Sequence, residues 1–243
     1  MRRIAVIIPA RYGAQRFPGK SLADLAGSPV IAHVVERARR ARGVDVVAVA
    51  TDDDRIARAA ERAGAEAIVT GNAPTGTDRV AEAARRLRPA PDVVVNLQGD
   101  EPLIEPEAIE TLVAAMEPGV EMATLARPLG EGELGRTHVV KVVTDGRGDA
   151  LYFSRAAIPH RRSGGDSPLA RAHVGIYAFT AAFLQEFASL SPGRLEAEES
   201  LEQLRALEHG HRIRVADTRY AGFGIDTPED LERARAILAA QHV

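Results

Sequence analysis

Five residues in one short stretch, Arg11, Gly13, Arg16, Gly19 and Lys20, have the types and spacing to hold a polyphosphate. Glycine lets the backbone turn tightly and bring its N–H groups against an anion, while arginine and lysine supply the opposing charge. The stretch follows directly on an apolar run at 4–8, which predicts a nucleoside-triphosphate loop at the carboxyl end of a first strand. It nearly spells a Walker A loop, but five residues separate Gly13 from Gly19-Lys20-Ser21, one more than that loop allows. Gly27 and Pro29 also delay the first helix well past Lys20. Taken alone, the stretch also reads as an ordinary basic surface loop.

Two further groups have the chemistry of a magnesium–phosphate site. The strand-like run at 93–97 empties into Gln98-Gly99-Asp100-Glu101-Pro102, delivering an acidic pair to a strand's carboxyl end. Magnesium takes one or two carboxylates and fills its other positions with water and phosphate oxygens. Gly-Asp and Glu-Pro are also common turn dipeptides. The segment Gly224-Ile225-Asp226-Thr227-Pro228-Glu229-Asp230 reads first as a helix start. Thr227 serves as N-cap, Pro228 takes the first helical position and Asp230 the third. Asp226 is left over, and spacing alone leaves open whether it is a second magnesium carboxylate.

The remaining polar motifs have simple structural readings beside functional ones. Gly76-Thr77-Asp78-Arg79 opens a helix capped by Thr77 or Asp78, with Arg79 placed to point toward a nucleotide. Thr51-Asp52-Asp53-Asp54 reads as a helix cap and a solvated acidic run. His173 and Tyr177 share a parity in one strand and so face one side of a sheet. A lone strand histidine is more often structural than catalytic.

These groups need elements to position them, and the pattern supplies an α/β order. Strand-like runs at 4–8, 44–50, 67–69 and 93–97 alternate with helical patterns at 30–41, 56–63 and 80–87. The first helical pattern puts Val30, Ile31, Val34, Val35 and Ala38 on one face. Near-continuous apolar strands between amphipathic helices predict a mostly parallel, doubly wound, Rossmann-like sheet, whose ligands collect at the carboxyl ends of strands. From about residue 118 the rhythm changes to strands at 122–126, 139–144, 150–153 and 174–179. Helices at 181–188 and 196–207, a strand at 213–216 and a closing helix from Pro228 follow. The second half is thus expected to contribute an antiparallel lobe.

Composition narrows the function classes. A chain of 243 residues has room for one large core or two modest ones. A net charge of −3 argues against broad nucleic-acid binding, which wants a strongly basic face. Without cysteine there is no disulfide, thiolate nucleophile or cysteine-ligated zinc. Pro9 and Arg11 interrupt the first apolar run too early for a signal peptide, and no run is long enough to cross a bilayer. The expected setting is the cytoplasm, with no membrane partner.

Together the motifs resemble one family closely, the 3-deoxy-manno-octulosonate (Kdo) cytidylyltransferases. The matching pieces are IPARYGAQRFPGKSL (8–22), VATDD (49–53), GTDR (76–79), VNLQGDEP (95–102) and MATLA (122–126). VKVV (140–143), ALYFSRAAIP (150–159), VGIYAF (174–179), ESLEQLR (199–205) and IDTPEDL (225–231) continue the family's order over essentially the whole chain. The resemblance implies a single domain, with a nucleotide-binding half at 1–117 and a sugar-binding and dimerisation half at 118–243. It implies transfer of CMP from CTP to Kdo for lipopolysaccharide, with magnesium, by a homodimer. Carried over, Arg11, Gly13 and Lys20 hold CTP, with Lys20 also catalytic. Asp100 and Asp226 bind magnesium, and Arg79 and Gln98 lie along nucleotide and sugar. Arg155, His173, Tyr177, Glu202 and Gln203 surround the sugar acid, Arg155 facing its carboxylate. His138 and the segment Pro159-His160-Arg161-Arg162 depart from the family pattern, which leaves an amino-substituted sugar acid open.

Three rivals differ in what they predict. A P-loop NTPase would release phosphate from ATP without any sugar. A catalytically inactive nucleotide-sensing module would bind CTP without releasing pyrophosphate. A Rossmann dehydrogenase needs a Gly-x-Gly-x-x-Gly after the first strand, which is missing.

Overall fold

The computed structural model describes residues 2–13, 17–163 and 167–241. Arg16 of the phosphate-loop motif lies outside the described residues, as do Ala14 and Gln15. The chain divides into two compact units, one built from the stretch up to Glu110 and the stretch from Gly222 onward, the other from Thr111–Ala221. A single boundary at 117/118 was expected. The division instead falls in two places, and residues 222–241 group with the first unit.

The first unit contains strands β1 (Ile4–Ala10), β2 (Asp24–Leu25), β3 (Ser28–Pro29), β4 (Val46–Thr51), β5 (Glu66–Val69) and β6 (Val93–Asn96). Its helices include α1 (Val30–Arg40), α2 (Asp54–Arg62) and α3 (Gly76–Arg86), and α4 spans Pro106–Ala114. β1 pairs in parallel with β4 on one side and β6 on the other, and β4 pairs in parallel with β5. Every residue of β4 and β6 is buried, which is why these strands read as unbroken apolar runs rather than alternating ones. Helix α1 buries the five residues its periodicity assigns to one face. Each of the four larger ones, Val30, Ile31, Val34 and Val35, contributes roughly 1.5–3 kcal/mol on leaving water.

The β2–β3 hairpin and helix α4 escape the sequence reading, the hairpin because its strands are only two residues long. Both residues of its turn, Ala26 (φ +51°) and Gly27 (φ +86°), are left-handed. That turn geometry favours Asn-Gly, since asparagine tolerates a conformation that costs alanine about 1 kcal/mol. Ala26→Asn is expected to stabilise the protein by about 0.5–1 kcal/mol, seen as a higher urea midpoint. An unchanged or lower midpoint would contradict this account of the turn.

The second unit contains β7 (Met122–Pro128), β8 (Lys141–Thr144), β9 (Ala150–Ser154), β10 (Arg171–Thr180) and β11 (Arg214–Asp217). Helices α5 (Ala181–Ser189), α6 (Arg194–Glu199) and α7 (Leu204–Glu208) precede β11. β10 runs antiparallel to β7 and β8, and β8 antiparallel to β9, giving the expected antiparallel lobe. β11 joins β7 in parallel. The single helix expected over 196–207 is two, because Ser200 turns left-handed (φ +51°) and caps α6. The first unit ends with α8 (Pro228–Gln241), whose start is capped as expected: Thr227 Oγ1 accepts from the Asp230 N–H, and Asp230 Oδ2 accepts from the Thr227 N–H.

One carboxylate of the second unit ties stability to pH. Glu133 takes both terminal nitrogens of Arg127, at 2.7 and 2.9 Å, and the Gly130 N–H at 2.7 Å. The Arg127 hydrogen bonds outweigh the penalty of burial and lower its pKa from 4.5 to about 2. A carboxylate whose folded pKa is depressed stabilises the fold above its unfolded pKa and loses that contribution as pH falls through the folded one. The stability gap between wild type and Glu133→Gln should therefore be full at neutral pH and shrink from pH 4.5 toward 2. Urea titrations across that range check it, and a gap independent of pH would contradict it.

Candidate active site

The carboxyl ends of the parallel strands frame a cleft of about 440 Å³ in the first unit, a size ordinary for small-molecule sites. Its lining includes Arg11, Lys20, Arg79, Gln98, Asp100 and Asp226. Two glycines permit this convergence. Gly19 is left-handed (φ +73°), and its N–H donates to the Tyr12 carbonyl at 2.9 Å. At Gly99 a Cβ would stand 2.8 Å from the Pro9 carbonyl oxygen, so any side chain there would push the ends of β1 and β6 apart.

Lys20 is the hub of the cleft. Its ammonium donates to Asp100 Oδ2 at 2.5 Å, the Ile225 carbonyl at 3.0 Å and Asp226 Oδ1 at 3.1 Å. An ammonium has three protons, so all of them are engaged. Burial opposes the charged form of Lys20, but Asp100 and then Asp226 outweigh it and raise its pKa above the ordinary lysine value. Asp226 belongs here because the cap that follows fixes its backbone: its N–H donates to Asp230 Oδ2 at 3.2 Å. The Ile225 N–H reaches the Asp100 carbonyl at 2.8 Å, stitching the two acidic segments together.

The donor set suits magnesium. Two carboxylates face one open cleft within 3.1 Å of the same nitrogen. Among the described residues no group of three or more His, Cys, Asp or Glu could cage a metal. Two carboxylates fit an ion that shares its shell with substrate phosphates.

Arg79 is buried and reaches the cleft from the start of α3. Its guanidinium donates to Thr70 Oγ1 at 2.6 Å and to Asp52 Oδ2 at 2.7 Å. The α3 cap is Thr75, in a capping box with Asp78, and not Thr77 or Asp78 as expected. Thr77 instead accepts from the Asn96 amide at 3.1 Å. Gly13 and Glu101 are not part of the cleft lining.

The second unit gathers a second group. The Tyr177 hydroxyl donates to Gln203 Oε1 at 3.0 Å, and the His173 and Tyr177 rings lie 5.6 Å apart. The buried Gln203 Nε2 has no hydrogen-bond partner among the described residues. Burial lowers the His173 pKa to about 3, so the imidazole is neutral at physiological pH and serves hydrogen bonding. Burial, and then the Glu202 charge, raise the Tyr177 phenol well above its ordinary value. Thr124 Oγ1 lies 2.9 Å from His173 Nε2 and donates to the Ile176 carbonyl at 2.8 Å. Glu202 lies 3.8 Å from the Arg205 guanidinium. Arg155 reaches the backbone carbonyls of Glu199, Thr137 and Ser200.

A cytidylyltransferase family model matches residues 5–213. A 3-deoxy-manno-octulosonate cytidylyltransferase of Anaeromyxobacter sp. (strain Fw109-5) is 85% identical over 240 residues, covering 99% of this chain and 98% of that protein. The chain belongs to this family. An 8-amino-3,8-dideoxy-manno-octulosonate cytidylyltransferase of Shewanella halifaxensis (strain HAW-EB4) is 49% identical, covering 97% of this chain and 98% of that one. A solved CMP:2-keto-3-deoxy-manno-octonic acid synthetase complexed with CTP superposes with TM-score 0.93 at 42% identity, covering 98% of this chain and 99% of that one. The family is one of nucleotidyltransferases, and the α/β architecture expected from the sequence is the family's fold.

Within this family member, the first unit brings Arg11, Lys20, Arg79, Gln98, Asp100 and Asp226 to one cleft. Tyr177 and Gln203 meet in the second unit, with His173 beside them. Sequence reasoning passed over Asp52, the counter-ion of Arg79, and Thr124, the partner of His173. Asp52 sits in a run of three aspartates that looks solvated, and indeed Asp53 caps α2 through the Arg55 N–H. Only Asp52's place at the end of β4, next to that cap, could have marked it.

Proposed function

We propose that this chain transfers CMP from CTP to the anomeric hydroxyl of Kdo, releasing pyrophosphate for lipopolysaccharide synthesis in the cytoplasm. The observation that carries this reading is Lys20 held between Asp100 and Asp226 at the strand ends of a cytidylyltransferase fold. The hydroxyl oxygen forms a bond to the α-phosphorus as the bond to the oxygen bridging the β-phosphate breaks. The hydroxyl proton passes to water.

The chain's own residues position and neutralise in this reaction. Arg11 and Lys20 face the triphosphate, and Arg79 and Gln98 orient nucleotide and acceptor. Lys20 must exchange part of its carboxylate bonding for phosphate when CTP enters. Asp100 and Asp226 would hold magnesium, which supplies neutralisation of the phosphate charge when bound. Arg155 pairs with the acceptor's carboxylate, while His173, Tyr177, Glu202 and Gln203 receive its hydroxyls. Neutral His173 and Tyr177 suit that task because neither carries a charge that would need compensation. The second unit offers Leu151, on β9, and Leu169 with 62% and 73% of their surface exposed. An exposed leucine on an edge strand and another in the loop before β10 support a homodimer formed through this unit.

Pyrophosphate release is measured with CTP, acceptor and magnesium present or omitted in turn. Release that needs all three, with Kdo as acceptor, is the expected result. Release with 8-amino-3,8-dideoxy-manno-octulosonate alone would change the acceptor and keep the chemistry. CTP binding without release under any acceptor would overturn the reading.

A further inference from the structure

The second unit holds a lysine that the reaction above does not use. Lys141, on β8, is fully buried, although lysine is almost never so without a charged partner. Its ammonium donates to three backbone carbonyls: Arg136 at 2.9 Å, Val139 at 2.6 Å and Arg155 at 2.5 Å. Burial lowers its pKa. A methionine would fill the same space but leave those three carbonyls without this donor. Packing alone does not explain the ammonium.

What it grips is the backbone of Arg155. The Arg155 carbonyl is held by Lys141, and the Arg155 N–H is held by Glu199 Oε2 at 2.9 Å. Glu199 Oε1 accepts from Ser154 Oγ at 2.5 Å, which fixes the carboxylate in turn. Both polar groups of one peptide residue are thus clamped by buried or half-buried charges. The guanidinium is then steered by carbonyls alone: Nε to Glu199 at 2.8 Å, Nη1 to Thr137 at 3.3 Å and Nη2 to Ser200 at 3.4 Å. The Thr137 carbonyl belongs to the turn that Lys141 closes. One N–H on each terminal nitrogen keeps no partner among the described residues. A planar fork with free N–H groups on both terminal nitrogens matches a carboxylate. The cluster holds two cations, Lys141 and Arg155, and hydrogen-bonds one carboxylate, Glu199. One more anion would balance it.

We propose that Lys141 is a positioning residue for acceptor-carboxylate recognition, locking the Arg155 backbone and the 136–139 turn so that the guanidinium stands ready for the sugar acid. The inference rests on the proposed function and adds a residue to it. Lys141→Met and wild type are compared by steady-state kinetics, and by competitive inhibition with a Kdo analogue lacking the anomeric hydroxyl and with its methyl ester. The variant should raise the KM for Kdo by about tenfold or more, the scale of one charged hydrogen bond, while the KM for CTP stays within about twofold. It should weaken the acid inhibitor similarly and leave the ester almost unaffected, while Lys141→Arg restores part of the loss. A merely structural lysine would weaken both inhibitors alike, and that result, or an unchanged KM for Kdo, overturns the proposal. Should Lys141→Met fail to fold, Glu199→Gln decides, since it loosens the same residue from the N–H side and should show the same acid-over-ester loss. Absence of turnover in wild type would instead sink the functional reading itself.

Discussion

Asp100→Asn is expected to lower the rate of CMP transfer by on the order of 10²–10³, the usual cost of removing one group that stabilises developing charge. The substitution keeps volume and still offers Lys20 an oxygen, so the hub retains the Ile225 carbonyl and Asp226 as partners. What disappears is one of two negative charges facing the cleft, and with it half of the donor set that suits magnesium. The loss should therefore persist at saturating CTP and be relieved only in part by excess magnesium. Thermal unfolding should move little, because the side chain is a quarter exposed and the backbone bond from Ile225 to Asp100 is untouched. Single-turnover pyrophosphate release checks it. A rate within threefold of wild type would remove Asp100 from the chemistry.

Asp52→Ala is expected to cost more stability than removing its partner Arg79. The Arg79 side chain is 4% exposed and Asp52 37% exposed. Deleting the carboxylate strands a buried guanidinium with Thr70 Oγ1 as its remaining side-chain partner. Breaking a buried pair in that way costs about 3–5 kcal/mol, and the partial exposure of Asp52 reduces this to about 2 kcal/mol. Arg79→Met deletes the buried charge instead and leaves a carboxylate that water can reach, so it should cost less. CTP offers the stranded guanidinium a new anion, so CTP should stabilise Asp52→Ala more than it stabilises wild type. Denaturant unfolding and thermal shifts with and without CTP test both parts. A reversed order of the two variants, or equal CTP shifts, would remove Arg79 and Asp52 from the nucleotide's surroundings.

The residues that sequence could place are those whose role is written locally. The apolar runs of β1 and β6 announce buried parallel strands, and the glycines and charges after them announce a ligand at the strand ends. The Thr227 cap is legible for the same reason, and once it accounts for its neighbours Asp226 stands out as surplus. Asp52 is different, because its partner is 27 residues away and three adjacent aspartates look alike in sequence. Ser200 shows a second kind of blindness. Helical periodicity runs on both sides of it, and the break comes from one left-handed residue whose preceding carboxylate is tied to Ser154 and Arg155. Lys141 reads as an ordinary strand lysine until three carbonyls are found around it.

Lys20 and Asp226 are 206 residues apart in the chain, and the whole second unit lies between the two pieces of the first. The covalent path through Thr111–Ala221 therefore adds a high effective concentration to the packing of Ile225, Leu231 and Leu238 against Leu25 and Val30 that holds the carboxylate-bearing segment beside its lysine. A single protease cut in that stretch would turn an intramolecular encounter into one that depends on dilution. Insertions at exposed loop tips there would only lengthen the tether, a penalty that grows slowly with the logarithm of its length. The second unit can thus drift in sequence and length while the cleft of the first keeps its parts, provided the thread between them is never severed.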